Sequence, residues 1–108
     1  MLKTNTYFDD QVVSIAYQGA TLATTVGVMS EGSYTFNTIH NETMTIIDGE
    51  VRIKLPNQTQ YQEIYSGQQF KVPADSQFDI EVLRASAYLC TYELLIAIFS
   101  NKHPFAPL

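Results

Sequence analysis

Turn-forming residues recur at short intervals along this chain, and the runs between them are rich in Val, Ile, Thr, Tyr and Phe. That punctuation describes an all-β sandwich or barrel, and no window carries a convincing helical period. It predicts strands over Val12–Tyr17, Thr21–Met29, Ser33–Thr38, Thr43–Ile47, Val51–Leu55, Gln68–Val72, Gln77–Leu83 and Ala87–Glu93. Asp48-Gly49 accepts the positive φ angles of a type I′ turn, so it predicts a tight hairpin between two of these runs. Pro56-Asn57 closes the following strand, because proline cannot donate to a ladder and asparagine favours a turn. Ser66-Gly67 and Pro73-Ala74-Asp75-Ser76 punctuate the rest.

Side chains two apart on a strand share a face. Glu42, Met44 and Ile46 therefore go together, as do Phe78, Ile80 and Val82. Tyr88, Cys90 and Tyr92 form a third set, and alternation leaves open which face of that last strand is inward.

At 108 residues the chain makes one domain with a single core. It carries a net charge of −5 with only six Lys and Arg, scattered rather than clustered, which argues against a nucleic-acid polymer as partner. One cysteine permits no disulfide within the chain, and Met1-Leu2-Lys3-Thr4 lacks the apolar stretch of a secretory signal. A cytoplasmic location is expected. The longest apolar run, Leu94 to Phe99, is far shorter than the ~20 residues that span a bilayer, so no membrane is expected as partner.

Two glycine-framed segments lie within the β pattern. The first reads Gly32-x5-Thr38-x-His40-x-Glu42-x6-Gly49, and the second Gly67-x5-Pro73-x-Asp75-x2-Phe78. Both resemble the two motifs of the cupin family, which implies a small jelly-roll β-barrel. Metal-binding cupins take two His and a Glu from the first motif and a third His from the second. Here Thr38 stands at the first His position and Phe78 at the third, so the ligand set is incomplete and no metal is expected.

Further stretches resemble a narrower group, the small bacterial pyrimidine/purine nucleoside phosphorylases. They are Val26-Gly27-Val28-Met29-Ser30-Glu31-Gly32-Ser33-Tyr34-Thr35-Phe36 followed by Met44-Thr45, then Phe70-x-Val72-Pro73, Tyr88-Leu89-Cys90-x-Tyr92 and the opening Asn5-x-Tyr7-Phe8. The likeness covers roughly residues 1–93, the expected barrel, and leaves 94–108 as an extension that would add an edge strand and tail. The resemblance implies a metal-free homodimer without an organic cofactor. It would cleave purine and pyrimidine nucleosides with inorganic phosphate as co-substrate, giving free base and pentose 1-phosphate over a broad substrate range. Some members carry an arginine where this chain has Thr91.

Such a reaction passes through an oxocarbenium-like transition state, which a carboxylate and oriented dipoles stabilise. Glu31 and Glu42 are the candidate carboxylates; the plain alternatives are a solvated turn for Glu31 and a surface loop for Glu42. Tyr34 is the candidate hydroxyl donor. Phe36, Phe78, Tyr88 and Tyr92 join it as a slot for a base, or else fill the core. Met29 and Met44 offer a pliant apolar wall. Thr38 offers a neutral contact, and Arg52 a cation for phosphate, unless its face is solvent. His40 is read as a rim or core residue, and Cys90 as a small buried apolar one. Two rival readings remain: a non-catalytic cupin that binds a nucleoside or sugar, and a metal-dependent oxygenase or isomerase, which the lost His positions disfavour.

Overall fold

The computed structural model describes residues 2–93, all of it strand, turn and loop. Eight strands follow in order: β1 Lys3–Tyr7, β2 Val12–Gln18, β3 Ala23–Met29, β4 Gly32–Asn37, β5 Asn41–Lys54, β6 Gln62–Tyr65, β7 Gln69–Val72 and β8 Gln77–Glu93. Every pairing among them is antiparallel. The extension 94–108 lies outside the described residues.

Two long strands organise the barrel. The C-terminal half of β8 pairs with β3 and with the N-terminal half of β5, and this large sheet continues through β2 to β1 on one side and to β7 on the other. The N-terminal half of β8 pairs with β4 and with the C-terminal half of β5, which also carries β6. β5 and β8 therefore belong to both sheets, as strands do when they turn a corner between two packed layers.

The hairpin expected at Asp48-Gly49 is not there. β5 runs straight through it, and the β5–β8 ladder shifts register between Ile46 and Asp48, between Asp48 and Glu50, and between Glu50 and Val51. The pair forms a β-bulge at the barrel corner. Its glycine has φ +140° and is the partner in a close approach: a Cβ there would lie 2.0 Å from Ser86 Oγ and 2.8 Å from Ser86 Cα. The positive φ that suits a hairpin here serves a bend instead. For the same reason the two strands expected over Gln77–Leu83 and Ala87–Glu93 are one bent strand, β8. β1 and β6 escape sequence detection because each is short and polar, with a single neighbour strand.

The core lies between the sheets. Val51, Ile53, Ile64, Ile80 and Val82 fill it from the small sheet, and Val12, Met29, Met44, Ile46, Phe70 and Val72 from the large one. Phe36 stacks on Phe78 at 5.7 Å between centroids, and Phe78 meets Phe70 edge-on at 5.8 Å. Phe8 closes this aromatic line from outside, 5.0 Å from Tyr34 and 5.4 Å from Phe36. It sits in the β1–β2 turn with Asp9 and Asp10, three successive non-glycine residues at φ between 54° and 67°.

Candidate active site

The register lines up the inward residues of the large sheet in rows. One row runs Asn5, Ser14, Gly27, Tyr88, Ile46; the next runs Ala16, Thr25, Cys90, Met44, Phe70; the third runs Ala23, Tyr92, Glu42, Val72. On β2 and β3 these rows hold small residues, which leaves room for the two tyrosines of β8 to lie across them. A Cβ on Gly27 would come within 2.6 Å of the Tyr88 phenol. The Tyr92 hydroxyl reaches Thr25 Oγ1 at 2.9 Å.

The result is a polar cluster inside a barrel: Ser14, Thr25, Glu42, Tyr88, Cys90 and Tyr92, with Tyr7 entering from β1. Glu42 is 4% exposed. Its carboxyl receives a hydrogen bond from the Cys90 thiol at 3.7 Å, a weak donor. Burial disfavours the charged form and pushes the Glu42 carboxyl up to about 8, the thiol opposing slightly, so the protonated form is favoured. Burial also raises the Cys90 thiol well above its ordinary range, with Glu42 adding to the rise. Burial raises the phenols of Tyr7 and Tyr88 as well; Ser14 opposes both shifts and Glu42 reinforces both. From outside, Glu42 borders a rim cleft of about 280 Å³ that it shares with Asn41, Thr43, Lys71, Val72, Pro73 and Glu93.

The structure separates the residues singled out in the sequence into distinct places. Glu42, Tyr88 and Tyr92 meet in the polar cluster, and Met44 lies beside Cys90. Tyr34, Phe36 and Phe78 belong to the aromatic line, so the five aromatics do not form one slot. The Tyr34 hydroxyl donates to the Ser30 carbonyl at 2.7 Å and anchors the β3–β4 turn. Met29 is fully buried in the row of Tyr7 and Val12. Glu31 is exposed in the β3–β4 turn, outside the cluster. Arg52 stands on the outer face of β5, hydrogen-bonded to Glu81, and is not among the inward residues.

Thr38 is buried but fully engaged. Its hydroxyl donates to the Pro73 carbonyl at 2.6 Å and accepts from the Ser76 amide at 3.1 Å, tying the β4–β5 turn to the β7–β8 turn. Phe78 is locked in the aromatic line. The positions that would carry two His ligands in a metal-binding cupin are thus a turn clamp and a core ring. Among the described residues no three His, Cys, Asp or Glu side chains converge.

Tyr7, Ser14 and Thr25 went unrecognised as site residues. The signal was present, since Ser14 and Thr25 interrupt otherwise apolar or small inward positions of β2 and β3.

A barrel of two sheets sharing bent strands is the fold of the cupins. The chain is similar to a cupin superfamily protein from Desulfitobacterium hafniense with a TM-score of 0.66, 79% of each chain covered and 19% identity, a likeness of fold alone. Closer in sequence, the chain superposes on a Vibrio parahaemolyticus protein of unknown function with a TM-score of 0.83 and 35% identity, covering 86% of this chain and 99% of that one. The family model for pyrimidine/purine nucleoside phosphorylase matches residues 2–92, and the chain belongs to that family. A pyrimidine/purine nucleoside phosphorylase from Saccharophagus degradans is 51% identical over 92 residues, 85% of this chain and 98% of the relative.

Proposed function

We propose that this protein cleaves purine and pyrimidine nucleosides with inorganic phosphate, over a broad range of bases, to free base and pentose 1-phosphate. Family membership supports the reaction class, and the buried Glu42 at the edge of the rim cleft, its carboxyl pushed up by burial, is the observation that carries the chemistry. A phosphate oxygen attacks C1′ as the bond from C1′ to the base nitrogen breaks. The electron pair of that bond leaves with the base. The Glu42 carboxyl gives its proton to the base and is later reprotonated from solvent, so charge and atoms balance. A neutral Glu42 also does not repel phosphate. Lys71, which borders the same cleft and makes no ion pair among the described residues, is the cation that draws phosphate in. Val72 and Pro73 give the same cleft an apolar side for the base that does not discriminate between rings.

The test is base release from a panel of nucleosides, with and without phosphate and with a chelator. Phosphate-dependent release that survives the chelator is expected for both purines and pyrimidines. Binding of nucleosides without release would favour the non-catalytic cupin, and activity restored only by metal would favour an oxygenase or isomerase ancestry of the site.

The protein acts, in this reading, as a cytoplasmic homodimer without metal or organic cofactor. The outer face of the large sheet supports the dimer. Val13 pairs with Val28, Ile15 with Val26, Val26 with Leu89 and Val28 with Ala87, giving an uncharged apolar patch with Val13, Ile15, Val26 and Val28 each 38–53% exposed. Two copies at −5 each associate best through a surface free of charge. Among the described residues no helix is long and apolar enough to cross a membrane. Replacing exposed Val28 by Asp should convert the dimer to monomer in sedimentation velocity while the fold persists; an unchanged mass would place the interface elsewhere.

A further inference from the structure

We propose that Asn5 recognises the one hydrogen-bond acceptor that purine and pyrimidine nucleosides share beside the glycosidic nitrogen: N3 of a purine or O2 of a pyrimidine. The inference rests on the nucleoside reading above and names how that site tolerates both rings.

Asn5 lies on β1, directly across from Ser14, which is 1% exposed. It faces inward, two residues before Tyr7, whose phenol is tuned by Ser14 and by Glu42. Its amide nitrogen Nδ2 is buried and has no hydrogen-bond partner among the described residues. Native interiors rarely leave such a donor unmet, and beside this cluster of titratable side chains a ligand can supply the missing acceptor. β1 pairs only with β2 among the described strands, and the chain runs on from Tyr7 into Phe8, which closes the aromatic line at Tyr34 and Phe36. Asn5 is the middle residue of this five-residue edge strand and Phe8 follows its end, so the donor and the aromatic line are served by one short segment.

Purine N3 and pyrimidine O2 are the acceptors that the two ring classes present in common. Each sits one atom from the nitrogen bonded to C1′, so each occupies nearly the same place relative to the sugar. One fixed donor therefore reads either ring, whereas a donor aimed at the far edge would separate adenine from guanine and cytosine from uracil. As the glycosidic bond breaks, negative charge spreads from the departing nitrogen onto that same acceptor. A hydrogen bond there strengthens in the transition state, the condition for it to accelerate the reaction.

The experiment compares adenosine with 3-deazaadenosine, in which a C–H replaces N3, for the full chain and for Asn5→Ala. The wild-type protein should prefer adenosine, in part through Asn5 and in part through the poorer leaving group. Asn5→Ala should lower kcat/KM for adenosine and for uridine by about ten- to hundredfold, the size of a charge-assisted hydrogen bond, and should barely change that for 3-deazaadenosine. The preference ratio shrinks by the same factor. The melting temperature should hold or rise, because an unmet buried donor has been removed; a purely structural amide would lower it and depress all substrates alike. If Asn5→Ala does not fold, Asn5→Asp keeps the shape and replaces the donor by an acceptor, and the same collapse of the ratio is required. Adenosine cleavage with an unchanged ratio overturns this inference alone. Absence of phosphate-dependent adenine release by the wild type overturns the nucleoside reading and this inference with it.

Discussion

Replacing Gly49 by alanine should cost about 2–6 kcal/mol of folding stability. The added Cβ would lie 2.3 Å from Ser86 Cβ and 2.8 Å from Ser86 Cα, so rotating the serine hydroxyl away does not make room; β8 itself must move. The residue is also held at φ +140°, where an L side chain is strained in any case. Overpacking and strain each cost about 1–3 kcal/mol, against a total stability of ~5–15 kcal/mol for a small domain. A thermal melt should show a fall of roughly 10–30 °C or no transition. Gly67→Ala is the control that separates the two terms. Gly67 has φ +86° with nothing within 4 Å of the added carbon, so it carries strain without overlap and should fall by much less. Equal losses at the two sites would mean that the corner does not depend on the approach of Ser86.

The second large effect is expected from Glu42→Gln. Glutamine keeps the shape and the neutral charge but has no proton to give, so kcat should fall by about 10²–10⁴-fold if Glu42 is the general acid. The same side chain sets a pH dependence of stability. Its folded value is about 8 against an ordinary 4.5. Between those values the folded state retains a proton that the unfolded chain has lost. Stability from this group is fully present below about pH 4.5, declines as pH rises towards 8, and levels off above it, at ~1.4 kcal/mol for each pH unit of the window. Activity that needs the protonated acid should instead hold up to about pH 8 and fall above it, where the Glu42 proton is lost. Glu42→Gln should remove that slope and be more stable than the wild type at pH 9. Denaturant melts at pH 5, 7 and 9 on both proteins check the stability claim, and a variant that retains near-normal kcat would sink the role of Glu42 as acid.

Much of this molecule can be read from its residues, and the parts that cannot have identifiable causes. Alternation grouped Glu42 with Met44 and Ile46, and Tyr88 with Cys90 and Tyr92, as the barrel has them. It did not say which side of Ala87–Glu93 is inward, since both faces offer apolar residues; burial of the tyrosines depends on Gly27 and Thr25 on a neighbouring strand. Asp48-Gly49 was misleading because a bulge and a tight turn ask for the same positive φ. The difference is decided by Ser86, which meets the corner from far along the chain. Arg52 and Tyr34 carry groups suited to substrate, and only the fold shows that they engage Glu81 and the Ser30 carbonyl. Asn5 shows nothing in the sequence beyond its place in a family segment, because an unmet donor is a property of what surrounds it.

β5 and β8 run through both sheets, and this governs how anything reaches the interior. At the corner the two layers are tied, because opening them there would tear two continuous strands. The sheet does not close on itself, and its doors are the margins, where β1, β4, β6 and β7 each hold a single neighbour among the described strands. Traffic into this fold is therefore controlled by its least secured strands, and evolution can alter what enters by changing a border residue without disturbing the two strands that keep the walls together.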